Sequence, residues 1–381
     1  MAKVDPMHRE SLTANGGSRA THGQEPIYVT RTFLPPREEY LHWLDKAYGS
    51  HVLTNNGPIH KELEETLRQR FEVPHLKLMA NGTLALQLAI RALGVTGKVI
   101  TTPFSYVATT SAILWEGCEP VFVDIDPATC CIDPNLIEAA ITPDTTAILA
   151  THVYGIPCDV EAIDAIAKKH GLKVIYDAAH AFDVQYKGRS ILQWGDASTL
   201  SFHATKLFHT VEGGTVVLHD AEADHRLRLL RSFGHVFDVH FSLGINAKMS
   251  EVHGAMGMAV LPHMDRIVAE RRQLTLRYDE LLARAALERP MVPAHTDYNY
   301  AYYPVILRDH AKRETLMAAL AAEGIHGRRY FFPSLDTLPY VRSAPCSNSQ
   351  CIADRVLCLP LYVDLDPDAI NRIARIIGAL E

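Results

Sequence analysis

Lys206 has the side chain with the clearest capacity for covalent chemistry in this sequence. It follows an apolar strand predicted over residues 197–202, within the segment SFHATK, and a turn containing Gly213 and Gly214 comes after it. In α/β proteins reactive groups lie where strands end, and an amine there can attack a carbonyl carbon. A single lysine is more often a solvated surface charge, so the other strand ends must decide between the two interpretations.

Three other predicted strand ends have residues that would complement a reactive amine. Asp177 ends the strand 173–176 without a Lys or Arg directly after it, and a buried carboxylate there needs a cation such as a protonated ring nitrogen. Tyr106 could lie over a planar ring. Gly82 and Thr83 open a helix whose first amide groups could bind a phosphate. Together, the amine, acid, aromatic ring and helix start predict a pyridoxal phosphate site.

Each of these residues also has a structural explanation. Thr83 could cap its helix, Asp177 could cap the turn that follows it, and Tyr106 could pack in the core. A metal-dependent hydrolase is another possible chemistry, but the 20 histidines form no H-E-x-x-H motif and no metal site is expected. Neither a P-loop nor a dinucleotide-binding glycine motif follows a predicted strand, so the expected phosphate is single and small.

Short apolar strands alternate with amphipathic helices through the first half of the chain. The strands are predicted at residues 77–79, 98–101, 120–123, 146–151 and 173–176, and the helices at 83–93, 104–115 and 160–170. This alternation predicts an α/β fold with a mainly parallel sheet covered by helices on both faces. Two closely spaced strands at 197–202 and 215–219 predict a hairpin-like pair where the sheet closes.

The length of 381 residues predicts a large domain and a smaller one. We expect a disordered leader at residues 1–25, a large cofactor-binding domain at 26–250, a long connecting helix at 251–285 and a small C-terminal α+β domain at 286–381. In the small domain, strands are predicted at 302–307, 326–331 and 356–359, with helices at 311–323 and from residue 366.

The charge and cysteine content narrow the classes of partner. With 37 Lys and Arg against 44 Asp and Glu, the formal charge is −7, and the absence of a basic block argues against nucleic-acid or anionic-membrane binding. No apolar run approaches the roughly 20 residues that span a bilayer. The seven cysteines form neither C-x-x-C pairs nor zinc-finger spacings, which is typical of free thiols in the cytoplasm.

Six ordered motifs carry a resemblance to a known family. They are TNNGP (54–58), NGTLAL (81–86), TPFSYVAT (102–109), DAAH (177–180), SFHATK (201–206) and GINAKMSE (244–251). From about residue 27 onward the chain resembles the DegT/StrS family of nucleotide-sugar aminotransferases, which are fold-type I pyridoxal phosphate enzymes. The resemblance implies a large domain with a mainly parallel, seven-stranded sheet flanked by helices and a smaller C-terminal α+β domain.

The resemblance also implies a role for each residue around the cofactor ring. Lys206 would form the Schiff base and, once released, transfer the proton during catalysis. Asp177 would pair with the pyridine nitrogen, and Tyr106 would stack on the ring. His180, at a position where many family members have Gln, would hydrogen-bond the phenolic oxygen. Some relatives have His in place of the Schiff-base lysine and catalyse dehydration, so Lys206 favours amino transfer.

Further residues are implied by the same resemblance for the phosphate and the substrate. Gly82, Thr83 and Ser201 would bind the cofactor phosphate, together with Asn246 from the neighbouring subunit of a homodimer. The substrate contacts expected from the family segments are Asn56, Lys248, Arg329 and Tyr330. Of these, Arg329 and Tyr330 would lie near a diphosphate, for which a guanidinium is well suited. A solvated strand edge is the alternative explanation for Arg329 and Tyr330.

The reaction implied by the resemblance has two halves. L-glutamate would leave its amino group on the cofactor, and a nucleotide-linked keto sugar would then accept it. The motifs are most similar to the branch that converts dTDP-4-keto-6-deoxy-D-glucose to dTDP-4-amino-4,6-dideoxy-D-glucose, in deoxyamino sugar biosynthesis for O-antigen or antibiotic glycosylation. Two alternatives stay open: a 3-aminotransferase acting on a 3-keto-6-deoxyhexose, and a non-catalytic family member that binds a sugar nucleotide.

Overall fold

The computed structural model describes residues 25–380, so the leader predicted at residues 1–25 lies almost wholly outside the described residues. The α-helices are α1 (Arg37–Ser50), α2 (Pro58–Arg70), α3 (Gly82–Ala92), α4 (Val107–Trp115), α5 (Pro134–Ala140), α6 (Val160–His170), α7 (Ala221–Leu230), α8 (Glu251–Val260), α9 (Met264–Leu281), α10 (His310–Ala322), α11 (Ser347–Arg355) and α12 (Pro367–Gly378). None of the described helices is both long and apolar enough to cross a membrane.

The described strands divide between one seven-stranded sheet, one small three-stranded sheet and three two-stranded pairs. They are β1 (Ile27–Tyr28), β2 (His75–Met79), β3 (Lys98–Thr101), β4 (Glu119–Phe122), β5 (Thr145–Thr151), β6 (Lys173–Asp177), β7 (Gln185–Tyr186), β8 (Arg189–Ser190), β9 (Ala197–Ser201), β10 (Gly214–Leu218), β11 (His235–Val236), β12 (Val239–His240), β13 (Thr296–Asp297), β14 (Tyr303–Ile306), β15 (Ile325–His326) and β16 (Val356–Leu359).

The central sheet has seven strands in the order β2-β10-β9-β6-β5-β3-β4. Only β10 runs against its neighbours, pairing antiparallel with both β2 and β9, while the remaining pairs are parallel. The carboxyl ends of β2, β9, β6, β5 and β3 therefore meet along one edge. These findings confirm the predicted α/β fold, the seven-stranded sheet and the closing pair of strands.

Local sequence signals set the ends of the helices next to this edge. Asn81 precedes α3, and its side chain accepts a hydrogen bond from the Leu84 backbone N–H. Asp159 caps α6 in the same way, by accepting from the Ala162 N–H. Gly171 directly follows α6, and its φ of 67° lies in the left-handed region that glycine adopts without strain. The capped starts direct the first amide groups of each helix toward the ends of the strands.

The predicted connecting helix is interrupted. The helices α8 and α9 are separated by a single 3-10 turn at Leu261–His263, and α9 ends at Leu281 rather than near residue 285. Pro262 lies in this turn, where its missing N–H and its ring disfavour continuous α-helix. The division into domains that this helix would connect stays a prediction.

The strand predicted at residues 326–331 is wrong beyond its first residue. The strand β15 is limited to Ile325–His326, which pairs in parallel with β1 at the N-terminal side of the described chain. After one further bridge between Arg328 and Cys358, the backbone leaves the sheet. The Tyr154 hydroxyl donates to the Tyr330 carbonyl, so this segment packs against the turn that follows β5 instead of extending a strand.

A buried carboxylate fastens α2 to α8. Glu251 is 0% exposed, and its two oxygens accept hydrogen bonds from the backbone N–H groups of Ile59 (2.8 Å) and His60 (2.9 Å) at the start of α2. The same residue donates its own N–H to the Leu53 carbonyl. A Cβ on Gly57 would lie 2.6 Å from the Glu251 carboxyl carbon, so glycine permits this close approach. The interaction holds the start of α2 and the loop before it against α8.

Replacing Glu251 with Gln should lower the free energy of unfolding by about 2 kcal/mol, because an amide NH₂ would face a backbone N–H and one charge-assisted hydrogen bond would be lost. Urea denaturation followed by circular dichroism measures this change. The control is Glu62→Gln, an exposed position on α2, the helix that Glu251 caps. For this control a change within about 0.5 kcal/mol is expected. Equal unfolding midpoints for the two variants would contradict the capping role.

Candidate active site

A cavity of about 820 Å³ opens at the edge where the parallel strands end. Lys206 follows β9, Asp177 ends β6, Thr151 ends β5, and the start of α3 also lines the cavity, next to the end of β9. Of the residues predicted from sequence, those that line the cavity are Gly82, Thr83, Tyr106, Asp177, His180, Ser201, Lys206 and Tyr330. The parallel topology therefore brings residues from distant parts of the chain to one place.

The amine of Lys206 is held in a poorly hydrated environment. Its backbone N–H donates to the His203 carbonyl at 2.8 Å, which bends the chain into a tight turn after β9. Burial lowers the pKa of Lys206 to about 8, and the nearby Asp177 carboxylate opposes this change only in part. An amine with this pKa is neutral in a substantial fraction of molecules near neutral pH, so it can act as a nucleophile and a base.

Asp177 is a buried carboxylate that makes no ion pair with any described residue. Its Oδ2 accepts a hydrogen bond from Thr109 Oγ1 at 2.8 Å, and its Oδ1 accepts one from the Ala179 N–H at 3.1 Å. Burial raises the pKa of Asp177, while these hydrogen bonds and the charge of Lys206 lower it. A protonated ring nitrogen placed in the cavity would supply the counter-charge that the protein does not.

His180 is a neutral hydrogen-bond donor toward the cavity. Its Nδ1 accepts from the Tyr154 backbone N–H at 3.2 Å, so the proton of the neutral ring is on Nε2. Burial and the charge of Lys206 lower the pKa of His180 well below its usual range. The ring stacks on Phe331 at a centroid distance of 5.5 Å and contacts Tyr302 at 4.7 Å, which fixes its orientation.

The start of α3 forms a cradle of the right kind for a phosphate. Gly82 is the first residue of this 11-residue helix, and a Cβ on Gly82 would lie 2.8 Å from the Ser201 Cβ. Glycine therefore lets the helix start and the end of β9 approach each other, with Thr83 beside them. The amide groups and the positive end of the helix dipole favour an anion there.

Tyr106 directly precedes α4, and 59% of its surface is exposed at the cavity. A ring packed in the core would be buried, so core packing is wrong as the explanation for Tyr106. The exposed ring is free to cover a planar ligand. The residues around the cavity thus fit each part of pyridoxal phosphate: aldehyde, ring nitrogen, phenolic oxygen, phosphate and ring face.

Four of the predicted residues lie outside the cavity lining. Asn246 is exposed, and its side-chain oxygen accepts a hydrogen bond from the Lys248 amine at 2.9 Å. Asn56 lies in the turn before α2, and the Arg329 guanidinium lies over the Phe332 ring at 3.8 Å. Its neighbour Arg328 lines the cavity instead. The binding roles of Asn56, Asn246, Lys248 and Arg329 stay predictions.

Several residues of the site were not identified from sequence. Thr109 supports Asp177, Tyr154 orients His180, and Arg328 lies at the cavity wall. Tyr154 follows the strand end of β5, so the rule that identified Asp177 could have found it. Thr109 had no such signal, because it lies inside α4.

Among residues 25–380 no group of three or more possible ligands is arranged to hold a metal ion, and all seven cysteines are free.

The fold and the sequence are similar to those of known sugar aminotransferases. The chain is 42% identical over 366 residues to a dTDP-4-amino-4,6-dideoxy-D-glucose transaminase from Shigella dysenteriae, covering 94% of this chain and all of that protein. It is 36% identical over 354 residues to a UDP-N-acetyl-3-dehydro-alpha-D-glucosamine 3-aminotransferase from Acidithiobacillus ferrooxidans, covering 91% and 94% of the two chains.

A solved structure has the same architecture. The crystal structure of DesI in the presence of its TDP-sugar product superimposes with a TM-score of 0.89 at 36% identity, covering 93% of each chain. The likeness confirms the predicted fold-type I architecture. Residues 36–378 match the DegT/DnrJ/EryC1/StrS aminotransferase family, and the chain therefore belongs to that family, as its six motifs indicated.

Proposed function

We propose that this aminotransferase moves an amino group from L-glutamate to dTDP-4-keto-6-deoxy-D-glucose, giving dTDP-4-amino-4,6-dideoxy-D-glucose, with pyridoxal phosphate as cofactor. The observation that carries the proposal is the joint placement of a low-pKa amine, Lys206, and an unpaired buried carboxylate, Asp177, in one cavity. The choice of sugar is supported by the relative from Shigella dysenteriae, whose name contains this amino sugar.

Bound pyridoxal phosphate would supply an aldehyde for the amine and a protonated ring that stabilises negative charge on the reacting carbon. Asp177 would hold the proton on the ring nitrogen, and His180 would donate its Nε2 proton to the phenolic oxygen. The amide groups of Gly82 and Thr83 and the hydroxyl of Ser201 would bind the phosphate. Tyr106 would cover the open face of the ring and exclude water from it.

Lys206 would carry out the proton transfers. With a pKa of about 8, its amine would move a proton from Cα of glutamate to C4′ of the cofactor in the first half-reaction, and from C4′ to C4 of the sugar in the second. Arg328 and Tyr330 lie on the cavity wall and would contact the diphosphate of the sugar nucleotide. Lys206, Arg328 and Tyr330 line the same cavity, so the sugar would bind within reach of both the amine and the diphosphate-binding side chains.

The active site would be completed in a homodimer located in the cytoplasm. The segment that contains β11 and β12 exposes large apolar side chains, with Phe237 91%, Leu243 76% and Phe241 62% exposed. Apolar surface of this kind is typical of a protein interface. Asn246 follows this segment. A second copy bound here would therefore place the Asn246 of one subunit close to the cofactor phosphate of the other subunit. Sedimentation of the purified protein tests the assembly.

A 3-aminotransferase is the second candidate, favoured by the 36% identity to the Acidithiobacillus ferrooxidans 3-aminotransferase. The decisive assay supplies glutamate with the 4-keto or the 3-keto dTDP sugar in parallel and locates the new amine by NMR. An amine at C4 supports the proposal, and an amine at C3 supports the second candidate. If glutamate does not change the absorbance of the cofactor-loaded protein, the protein is instead a non-catalytic family member that binds a sugar nucleotide.

Replacing Lys206 with Ala should reduce turnover by about 10⁴-fold or more, because both the nucleophile and the proton carrier are lost. Cofactor should still bind, since the phosphate and ring contacts remain, and absorbance after dialysis measures this retention. The control is Lys168→Ala, an exposed lysine paired with Asp164 on α6, which should be fully active. A Lys206→Ala protein with normal turnover would refute the assignment.

Replacing Asp177 with Asn should slow turnover by about 10² to 10⁴-fold, because removal of one partner of a buried charge pair costs about 3–5 kcal/mol. Steady-state kinetics on protein saturated with cofactor separates this effect from weaker cofactor binding. Asp164→Asn, on the exposed face of α6, serves as the control. Near-normal kcat in the Asp177→Asn protein would remove Asp177 from its proposed role.

The reaction of cofactor-free protein with added pyridoxal phosphate should accelerate as pH rises and level off, with a midpoint near pH 8. Only the neutral amine attacks an aldehyde, and burial lowers the pKa of Lys206 to about 8, whereas an ordinary lysine titrates near about 10.4. Stopped-flow absorbance measures the rate, and Lys206→Ala provides the baseline. A midpoint close to that of an ordinary lysine would show that the amine is hydrated.

A further inference from the structure

Three buried hydroxyl groups lead away from the Asp177 carboxylate. Thr109 Oγ1 lies 2.8 Å from Asp177 Oδ2, Ser105 Oγ lies 2.7 Å from Thr109 Oγ1, and Thr151 Oγ1 lies 3.1 Å from Ser105 Oγ. Thr109 is 0% exposed, and Ser105 and Thr151 are also buried. We call Thr151, Ser105 and Thr109 the hydroxyl chain. It connects the end of β5 to the end of β6 through the start of α4.

The direction of the hydrogen bonds follows from the number of protons. A hydroxyl has a single proton to donate, and an ionised carboxylate only accepts. Thr109 must therefore donate to Asp177, which leaves Ser105 as the donor to Thr109. Thr151 then donates to Ser105. All three O–H groups point the same way, toward Asp177, and hydrogen bonds aligned in this manner polarise and strengthen one another.

The alignment is matched to one ionisation state of Asp177. A protonated Asp177 could donate to Thr109 and would not need a hydroxyl donor, whereas the ionised form gains from each aligned O–H dipole. Lys206 and His180 line the cavity together with Asp177, and His152 follows the neighbouring strand β5, where its backbone N–H donates to the Asp177 backbone carbonyl. Burial lowers the pKa of both histidines, which keeps them neutral, so Lys206 is the one cation among them.

We propose that the hydroxyl chain is a positioning element that keeps Asp177 ionised so that it can hold a proton on the ring nitrogen of the cofactor. The proposal rests on the proposed function, since it assigns a role within the same site. Thr109 is the positioning residue in contact with Asp177, and Ser105 and Thr151 act through Thr109. None of the three takes part in bond making or breaking.

The test measures the dissociation constant of pyridoxal phosphate for cofactor-free protein as a function of pH. Affinity should fall on the acid side, as Asp177 takes up a proton. Thr109→Val removes one charge-assisted hydrogen bond and should move this acid midpoint upward by about one to two pH units. Thr109→Ser should restore the original midpoint. Ser105→Ala and Thr151→Val should give progressively smaller shifts in the same direction.

A neighbouring threonine provides a matched control. Thr110 lies on the same helix, is 0% exposed, and its hydroxyl has no hydrogen-bond partner in the described chain. Thr110→Val should leave the acid midpoint unchanged. The titration of the cofactor's own phosphate is common to all variants and cancels in the comparison. Asp177→Asn should abolish the acid limb, which assigns that limb to Asp177.

The outcomes separate the two proposals. If the unaltered protein does not bind pyridoxal phosphate at any pH, the proposed function is wrong. If it binds with an acid limb, but Thr109→Val weakens binding equally at every pH without moving the midpoint, the hydroxyl acts through packing alone and the hydroxyl chain proposal is wrong. Should Thr109→Val fail to fold, the midpoint of Ser105→Ala decides the proposal by the same criterion.

Discussion

A carboxylate buried without an ion-pair partner is the constraint on which this site depends. Asp177 loses its hydration at the end of β6, and the hydrogen bonds from Thr109 and Ala179 offset only part of that cost. The surroundings that disfavour its charge also disfavour the charge on Lys206. Burial at the same cavity thus prepares an acid that is stabilised by a cation and an amine that becomes neutral more readily than an ordinary lysine.

The sheet topology makes this pairing possible. Because β6 and β9 are adjacent and parallel, their ends place Asp177 and Lys206 side by side. The one antiparallel strand, β10, lies between β9 and β2 and lets β2 run in the common direction, so that α3 starts at the same edge. The helix dipole at Gly82 then faces the same space as the amine.

The strand ends were predictable from the sequence, because buried parallel strands are short apolar runs and the polar residue after each run stands out. Lys206, Asp177, Tyr106 and Gly82 were identified in this way, and the chain does bring them together. Contacts within helices left no such signal, as Thr109 illustrates. The strand expected at 326–331 failed because its apolar residues pack on His180 and Tyr154 rather than in a sheet. The helices α1 and α2 were not predicted, since their stability depends on distant groups such as Glu251.

The contact between Gly82 and Ser201 has an evolutionary consequence. Any side chain at Gly82 would press on the Ser201 Cβ at 2.8 Å, and Ser201 is the last residue of the strand that leads to Lys206. A side chain at Gly82 would therefore require the end of β9 to move, and the turn that contains Lys206 begins directly after it. We expect a side chain at Gly82 to be tolerated only together with a change at Ser201 or in the path of β9, so the junction of α3 and β9 constrains both positions at once.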